Sequence, residues 1–219
     1  MGKLAIALSV QLNFDRAMEH CDNLVQVHQR AGGDAKGRRR EEVSVNRAII
    51  VIAIAAWQAF VQDMTKHLVD RHMPNPSDPN YGFAKLLQGN LNGEITKFST
   101  PNSENSRKLL KAVGFDPRPY WTWSNGARGT REVIYKPHEI ENQLREWLLV
   151  RHAVAHGHEK LPEVRVLQTV REDSVNAISG PTVRLADAKA CIKFIRTLVE
   201  VTIDGVVKED ATLQTPPAP

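Results

Sequence analysis

Eight histidines punctuate this chain of 219 residues, and His138, His152, His156 and His158 fall within one short stretch. Imidazole titrates nearest neutral pH of all side chains, so a cluster of it suggests acid–base chemistry or metal binding. His152 and His156 stand four apart, which puts both on one face of a helix. Such a pair can hold zinc, and His158 extends it, but the protease pattern needs Glu directly after the first His. Here that position is Ala153, and the nearest carboxylate is Glu159. A zinc site on His152, His156 and His158 is therefore one reading. A partly exposed His pair closing a helix is the plainer one.

A second chemistry pairs Arg151 with His156. Cutting RNA without metal uses the 2′-hydroxyl as nucleophile. A histidine can deprotonate that hydroxyl or protonate the leaving oxygen. A fixed guanidinium can hold the scissile phosphate bidentately and stabilise the charge that builds on it. One motif carries one proton carrier, whereas acid and base together need two, so the chemistry favours a twofold dimer. Arg–His pairs at similar spacing also occur at Arg131–His138 and Arg145–His152, so spacing alone decides nothing. Context favours Arg151. It interrupts an apolar stripe between Leu148 and Val154, and Gly157 directly follows His156. An arginine there is costly without a partner. The competing expectation is an ion pair to a Glu of the same or a neighbouring helix.

The elements that must position these residues are helical. Phe14, Met18, Cys21 and Val25 share a face of a first helix over about 4–30. Residues 41–71 form a second, whose middle, Ala48 to Trp57, is apolar all round and must be enclosed. Ten residues rise about 15 Å, half of a hydrocarbon core of ~30 Å, so the run is a buried helix and not a membrane span. Short helices are expected at 83–91 and 103–113 within a Pro- and Gly-rich insert covering 74–136, and 115–129 is expected to be an irregular loop. The motif helix starts at Pro137, buries Ile140, Leu144, Trp147, Leu148 and Val154, and stops at Gly157. The β-branched stretches at 164–170 and 174–185 predict a small hairpin. A last helix covers 186–203. The fold class is all-α: a bundle of about four long helices, a loop-rich insert, and the hairpin before the last helix. One domain is expected over 1–207, with a disordered tail over 208–219.

The motif helix resembles that of the HEPN superfamily (higher eukaryotes and prokaryotes nucleotide-binding domains). The hallmark is Arg, a polar residue, a few apolar residues, then His, often followed by Gly. Arg151, His152, Ala153-Val154-Ala155, His156 and Gly157 match it in order. The chain is similar to the RiboL-PSP-HEPN branch through Trp57-Gln58-Ala59-Phe60, Pro101-Asn102-Ser103-Glu104 and Gly114-Phe115. The resemblance implies a HEPN-type bundle dimerising through its motif helices. It also implies a metal-independent endoribonuclease acting on RNA, in the manner of toxins and antiphage effectors, with an antitoxin protein as a further partner. Arg151 would bind phosphate, His156 would be the acid–base group, and His152 would help set the geometry. Many members carry Glu where this chain has Gln58. That departure keeps open a catalytically silent module that binds RNA, a nucleotide or a protein.

Composition permits these readings without selecting one. Lys plus Arg number 29 against 25 Asp plus Glu, for a net charge of +4, and 42% of residues are apolar. That is globular composition, which excludes a disordered, collagen-like or disulfide-stapled chain. Cys21 and Cys191 are isolated in sequence, in no ligand spacing, as suits a reducing cytosol. The N-terminus lacks a signal-peptide cleavage site, so a cytoplasmic location without membrane association is expected. No glycine-rich phosphate loop is present and no cofactor is expected. Arg38, Arg39 and Arg40 could touch RNA backbone, as could His158, or form a solvated loop. Tyr120, Trp121 and Trp123 could stack bases, or pin the insert onto the bundle.

Overall fold

A computed structural model describes residues 2–31, 40–125 and 133–214, with side chains described for 9–30, 41–124 and 133–210. Among the described residues the chain forms α1 (Gly2–Ala31), α2 (Arg40–Arg71), α3 (Tyr81–Lys97), α4 (Ser103–Lys111), a 3-10 turn (Arg118–Tyr120), β1 (Trp123–Asn125), β2 (Val133–Tyr135), α5 (Pro137–Ala155), α6 (Gln168–Arg171) and α7 (Leu185–Gln214). The class is all-α, and the four longest helices are those expected. The chain groups into two compact units. The first comprises Met1–Leu12, Gln58–Ile140 and Leu198–Pro219, and the second Asn13–Trp57 and Glu141–Thr197.

The first unit is built around Trp121. Its indole is fully buried and donates to Thr202 Oγ1 at 3.0 Å, while the Thr202 hydroxyl donates to the Leu198 carbonyl at 2.6 Å. Phe115 and Tyr120 stack with ring centroids 5.8 Å apart. They lie over Gly205, where a Cβ would stand 2.6 Å from the Tyr120 ring. The aromatic segment thus pins the insert to α7, one of the two roles expected for it. Asn102 caps α4 by accepting from the Asn105 N–H at 2.7 Å. Gln58 donates to the Phe98 carbonyl at 2.9 Å and Gln62 to the Ile95 carbonyl at 2.8 Å, tying α2 to the end of α3.

The second unit packs Phe14, Met18 and Cys21 of α1 with Ile49, Ile50, Ile54 and Trp57 of α2, Leu144 and Trp147 of α5, and Ile195 of α7, all buried. Glu41–Arg71 is the one helix among the described residues that is long and apolar enough to cross a membrane, and its Ile49, Ile50, Ala53, Ile54 and Trp57 face the interior. Both cysteines are buried and free. Burial pushes the Cys21 thiol up to about 11 and raises Cys191 as well.

Four expectations are corrected. The hairpin over 164–185 does not form; that segment is coil with the single turn of α6 and one isolated bridge, Asn176 to Gly180. Side chains there take the backbone groups that a strand ladder would use. Glu146 accepts from the Val166 N–H at 2.9 Å, and Asp187 from the Gln168 N–H at 2.7 Å. Arg171 donates to the Arg165 and Val166 carbonyls at 2.8 and 2.7 Å. An antiparallel strand pair forms elsewhere, its first strand within the expected irregular loop over 115–129 and its second beyond it, pairing Trp123 with Tyr135 and Asn125 with Val133. Its Trp123–Tyr135 pair, at 6.2 Å, supplies the cross-strand aromatic contact. α3 runs six residues past Leu91 to Lys97. α7 continues to Gln214, through half of the expected tail, because Glu209 accepts from the Tyr120 hydroxyl at 3.4 Å and Asp210 pairs with Arg71. Residues 215–219 lie outside the described residues.

Candidate functional site

α5 begins with a reciprocal cap, in which Glu139 accepts from the Lys136 N–H at 2.7 Å. Its Ile140, Leu144, Trp147, Leu148, Val150 and Ala153 side chains are buried, while Val154 is only half-buried. Arg145, Leu149, His152 and His156 recur at steps of four, three and four on the opposite face, and all are exposed. Leu149 is the one large apolar side chain of α5 left to solvent, at 44%.

The helix ends as the sequence requires. Gly157 has φ +65°. Its N–H donates to the Val154 carbonyl at 3.1 Å, and the His158 N–H donates to the Ala153 carbonyl at 2.9 Å. This pair of bonds is the Schellman closure, which a left-handed glycine favours. It leaves His156 at the last position before the reversal and turns His158 back beside it. The His152 and His156 ring centroids are 4.7 Å apart, and those of His156 and His158 are 6.1 Å apart. Three imidazoles therefore share one exposed surface.

Arg151 lies behind that surface, half-buried. Its Nε is shielded from solvent and has no hydrogen-bond partner, and among the described residues no carboxylate pairs with its guanidinium. The ion pair to a nearby Glu, the competing expectation for this residue, is not formed. Glu146, the closest preceding acid on α5, accepts from Val166 instead. An unpaired, partly desolvated guanidinium is unfavourable by itself and is a ready receptor for an anion.

Three imidazoles together raise the zinc reading again. Among the described residues, however, no three His, Cys, Asp or Glu side chains are grouped so that they could hold a metal ion. Arg38 and Arg39 lie outside the described residues, as does the side chain of Arg40, which begins α2. Gln58 belongs to the first unit, and its amide is engaged with Phe98.

Two residues of the second unit were missed by the sequence reading. His28 Nδ1 and Arg47 Nε are also buried without a partner. The available signal for Arg47 was its place directly before the apolar run that starts at Ala48. No family model, curated protein or solved structure matches the chain.

Proposed function

We propose that this protein is a metal-independent endoribonuclease of the HEPN type, active as a homodimer through its α5 helices. The observation that carries the reading is the unpaired, half-buried Arg151 guanidinium beside the exposed His152 and His156 at the glycine-closed end of α5. Arg151 holds the scissile phosphate of RNA. An imidazole takes the proton of the 2′-hydroxyl, whose oxygen attacks the adjacent phosphorus. The 5′-oxygen leaves with a proton from a second imidazole, and a 2′,3′-cyclic phosphate remains. His156 is the acid–base group and His152 orients it. A twofold axis beside the Arg145–Leu149–His152–His156 stripe brings two copies of His156 to one strand and covers Leu149.

The test is cleavage of single-stranded and structured RNA with EDTA present, comparing wild type with Arg151→Ala and His156→Ala. Each substitution is expected to lower the rate by about 100-fold or more. Equal cleavage by all three proteins refutes the assignment.

Gln58 favours a second reading, a catalytically silent module, because it occupies a position where many HEPN members carry Glu. RNA binding without cleavage by wild type, unchanged in His156→Ala, is the result that selects it.

A further inference from the structure

The described residues contain six buried side-chain nitrogen or oxygen atoms without a hydrogen-bond partner, and only Ser106 Oγ lies in the first unit. The other five are His28 Nδ1, Asn46 Oδ1, Arg47 Nε, Trp147 Nε1 and Arg151 Nε, all in the second. Buried polar groups in folded proteins are nearly always satisfied, so such a concentration needs a cause. Topology supplies part of it. To this unit α1 and α5 contribute their C-terminal parts, and α2 and α7 their N-terminal parts. His28 lies three residues from the end of α1, Arg47 seven residues after the start of α2, and Arg151 four residues before the end of α5. Three positions that can carry or share positive charge are thus gathered in one unit. None of the three side chains has an ion pair or a hydrogen bond among the described residues. The half-buried arginines of the first unit differ: Arg71 pairs with Asp210, and Arg107 with Asp116.

We infer that Arg47, assisted by His28, binds the phosphate backbone of the same RNA strand whose scissile phosphate Arg151 holds. The inference rests on the ribonuclease reading for the identity of the ligand. Arg47 is a binding residue, not a catalytic one. It contacts a phosphate flanking the cleavage point, so it favours a strand of several nucleotides over a mononucleotide. His28 donates a hydrogen bond to the same backbone. Among the described residues nothing neutralises Arg47, so the polyanion supplies the missing partner.

The experiment uses the full chain and a short fluorescent single-stranded RNA with 2′-O-methyl sugars, which cannot be cut through the 2′-oxygen. Binding is measured by anisotropy across a salt series for wild type, Arg47→Met, His28→Asn and His156→Ala, with Tm recorded for each. Arg47→Met is expected to weaken binding about tenfold and to reduce the salt slope by about one. Its Tm should stay at or above wild type, because the substitution removes an unpaired charge and keeps the stem. His28→Asn should show a smaller loss in the same direction. Unchanged affinity and slope in Arg47→Met overturn the inference, as does a fall in its Tm, which would mark a structural ion pair. No RNA binding by wild type overturns it too. An acidic peptide that binds as tightly as RNA, with the same loss in Arg47→Met, overturns the RNA assignment in favour of a protein partner. Failure of the ribonuclease reading registers separately, as His156→Ala cleaving RNA with free 2′-hydroxyls like wild type while the Arg47→Met binding defect stands.

Discussion

α4 and α5 end with the same backbone device and use it differently. At α4 the Gly114 N–H donates to Lys111 and the Phe115 N–H to Leu110, with φ +89° at the glycine. At α5 Gly157 and His158 repeat both bonds. The residue after the glycine is a buried Phe115 in one case and an exposed His158 in the other. The arginines differ in the same sense. Arg107 clamps Asp116 through two bonds of 2.8 and 2.6 Å, whereas Arg151 has no carboxylate among the described residues. The end of α4 is closed by an apolar seal and a salt bridge, so its guanidinium is satisfied internally. The end of α5 keeps a guanidinium without a carboxylate among the described residues and three exposed imidazoles.

The comparison is broken most directly by exchanging the arginines' consequences. Arg151→Ala should lower RNA cleavage by about 100-fold or more and leave Tm unchanged, since no internal partner is lost. Arg107→Ala should leave cleavage unchanged and cost roughly 1 kcal/mol, because Asp116 loses both short guanidinium bonds and is left with the Lys111 cation, at 3.8 Å. Cleavage assays and thermal melting on both proteins decide the matter. A Tm loss in Arg151→Ala with cleavage intact would place the two arginines in the same structural class.

Next in size is Gly205→Ala, which probes the shelf behind the α4 end. In an exposed helix interior alanine is favoured over glycine by about 1 kcal/mol. Here its Cβ would stand 2.6 Å from the Tyr120 ring and 3.1 Å from Phe115. Overpacking of that kind costs roughly 1–3 kcal/mol, so the clash wins and stability falls. Denaturant melting should show the loss, and RNA cleavage per folded molecule should hold.

The helices were legible because their apolar residues recur at helical spacing, and α5 in particular was bounded by Pro137 and Gly157 on both sides. The Arg151–His156 pair was legible because its arginine broke an apolar stripe. What was not legible depended on distant partners. The β-branched residues at 164–170 read as a strand, but Glu146 and Asp187 supply acceptors that no local pattern announces. Residues 208–214 read as a polar tail, yet Tyr120 and Arg71, far away in sequence, hold Glu209 and Asp210. Arg47 was passed over for the converse reason: its distinguishing property is the absence of a partner, which only the folded chain reveals.

Smaller effects come from the two closing glycines. Both hold positive φ and have open space where a Cβ would go, so alanine at either is strained by conformation and not by collision. Each Gly→Ala substitution should cost about 1 kcal/mol. The costs should then separate: Gly114→Ala also disturbs the buried Phe115, whereas Gly157→Ala moves only an exposed imidazole. Equal Tm losses would show that the Phe115 seal adds nothing to the α4 end.

The smallest effect is a pH dependence confined to α4. The Arg107 guanidinium holds the Asp116 carboxyl below the ordinary carboxylate range, helped by the Arg118 N–H and opposed by partial burial. A folded value below the unfolded one means that the pair's contribution is full above about pH 4 and is lost as pH falls through the folded value. Glu209 runs the other way, since burial raises it and its contribution fades as pH rises. Comparing wild type with Asp116→Asn at each pH cancels the groups that Asp116 does not influence; Glu209, which the Asp116 charge helps to raise, moves back toward its ordinary value in the variant. The Tm difference between the two proteins should be steady near neutrality and shrink toward zero below about pH 4. A difference that persists unchanged into acid would mean that Asp116 acts through its hydrogen bonds alone. The clamp on α4 would then owe nothing to charge, and charge pairing would no longer distinguish it from the open end of α5.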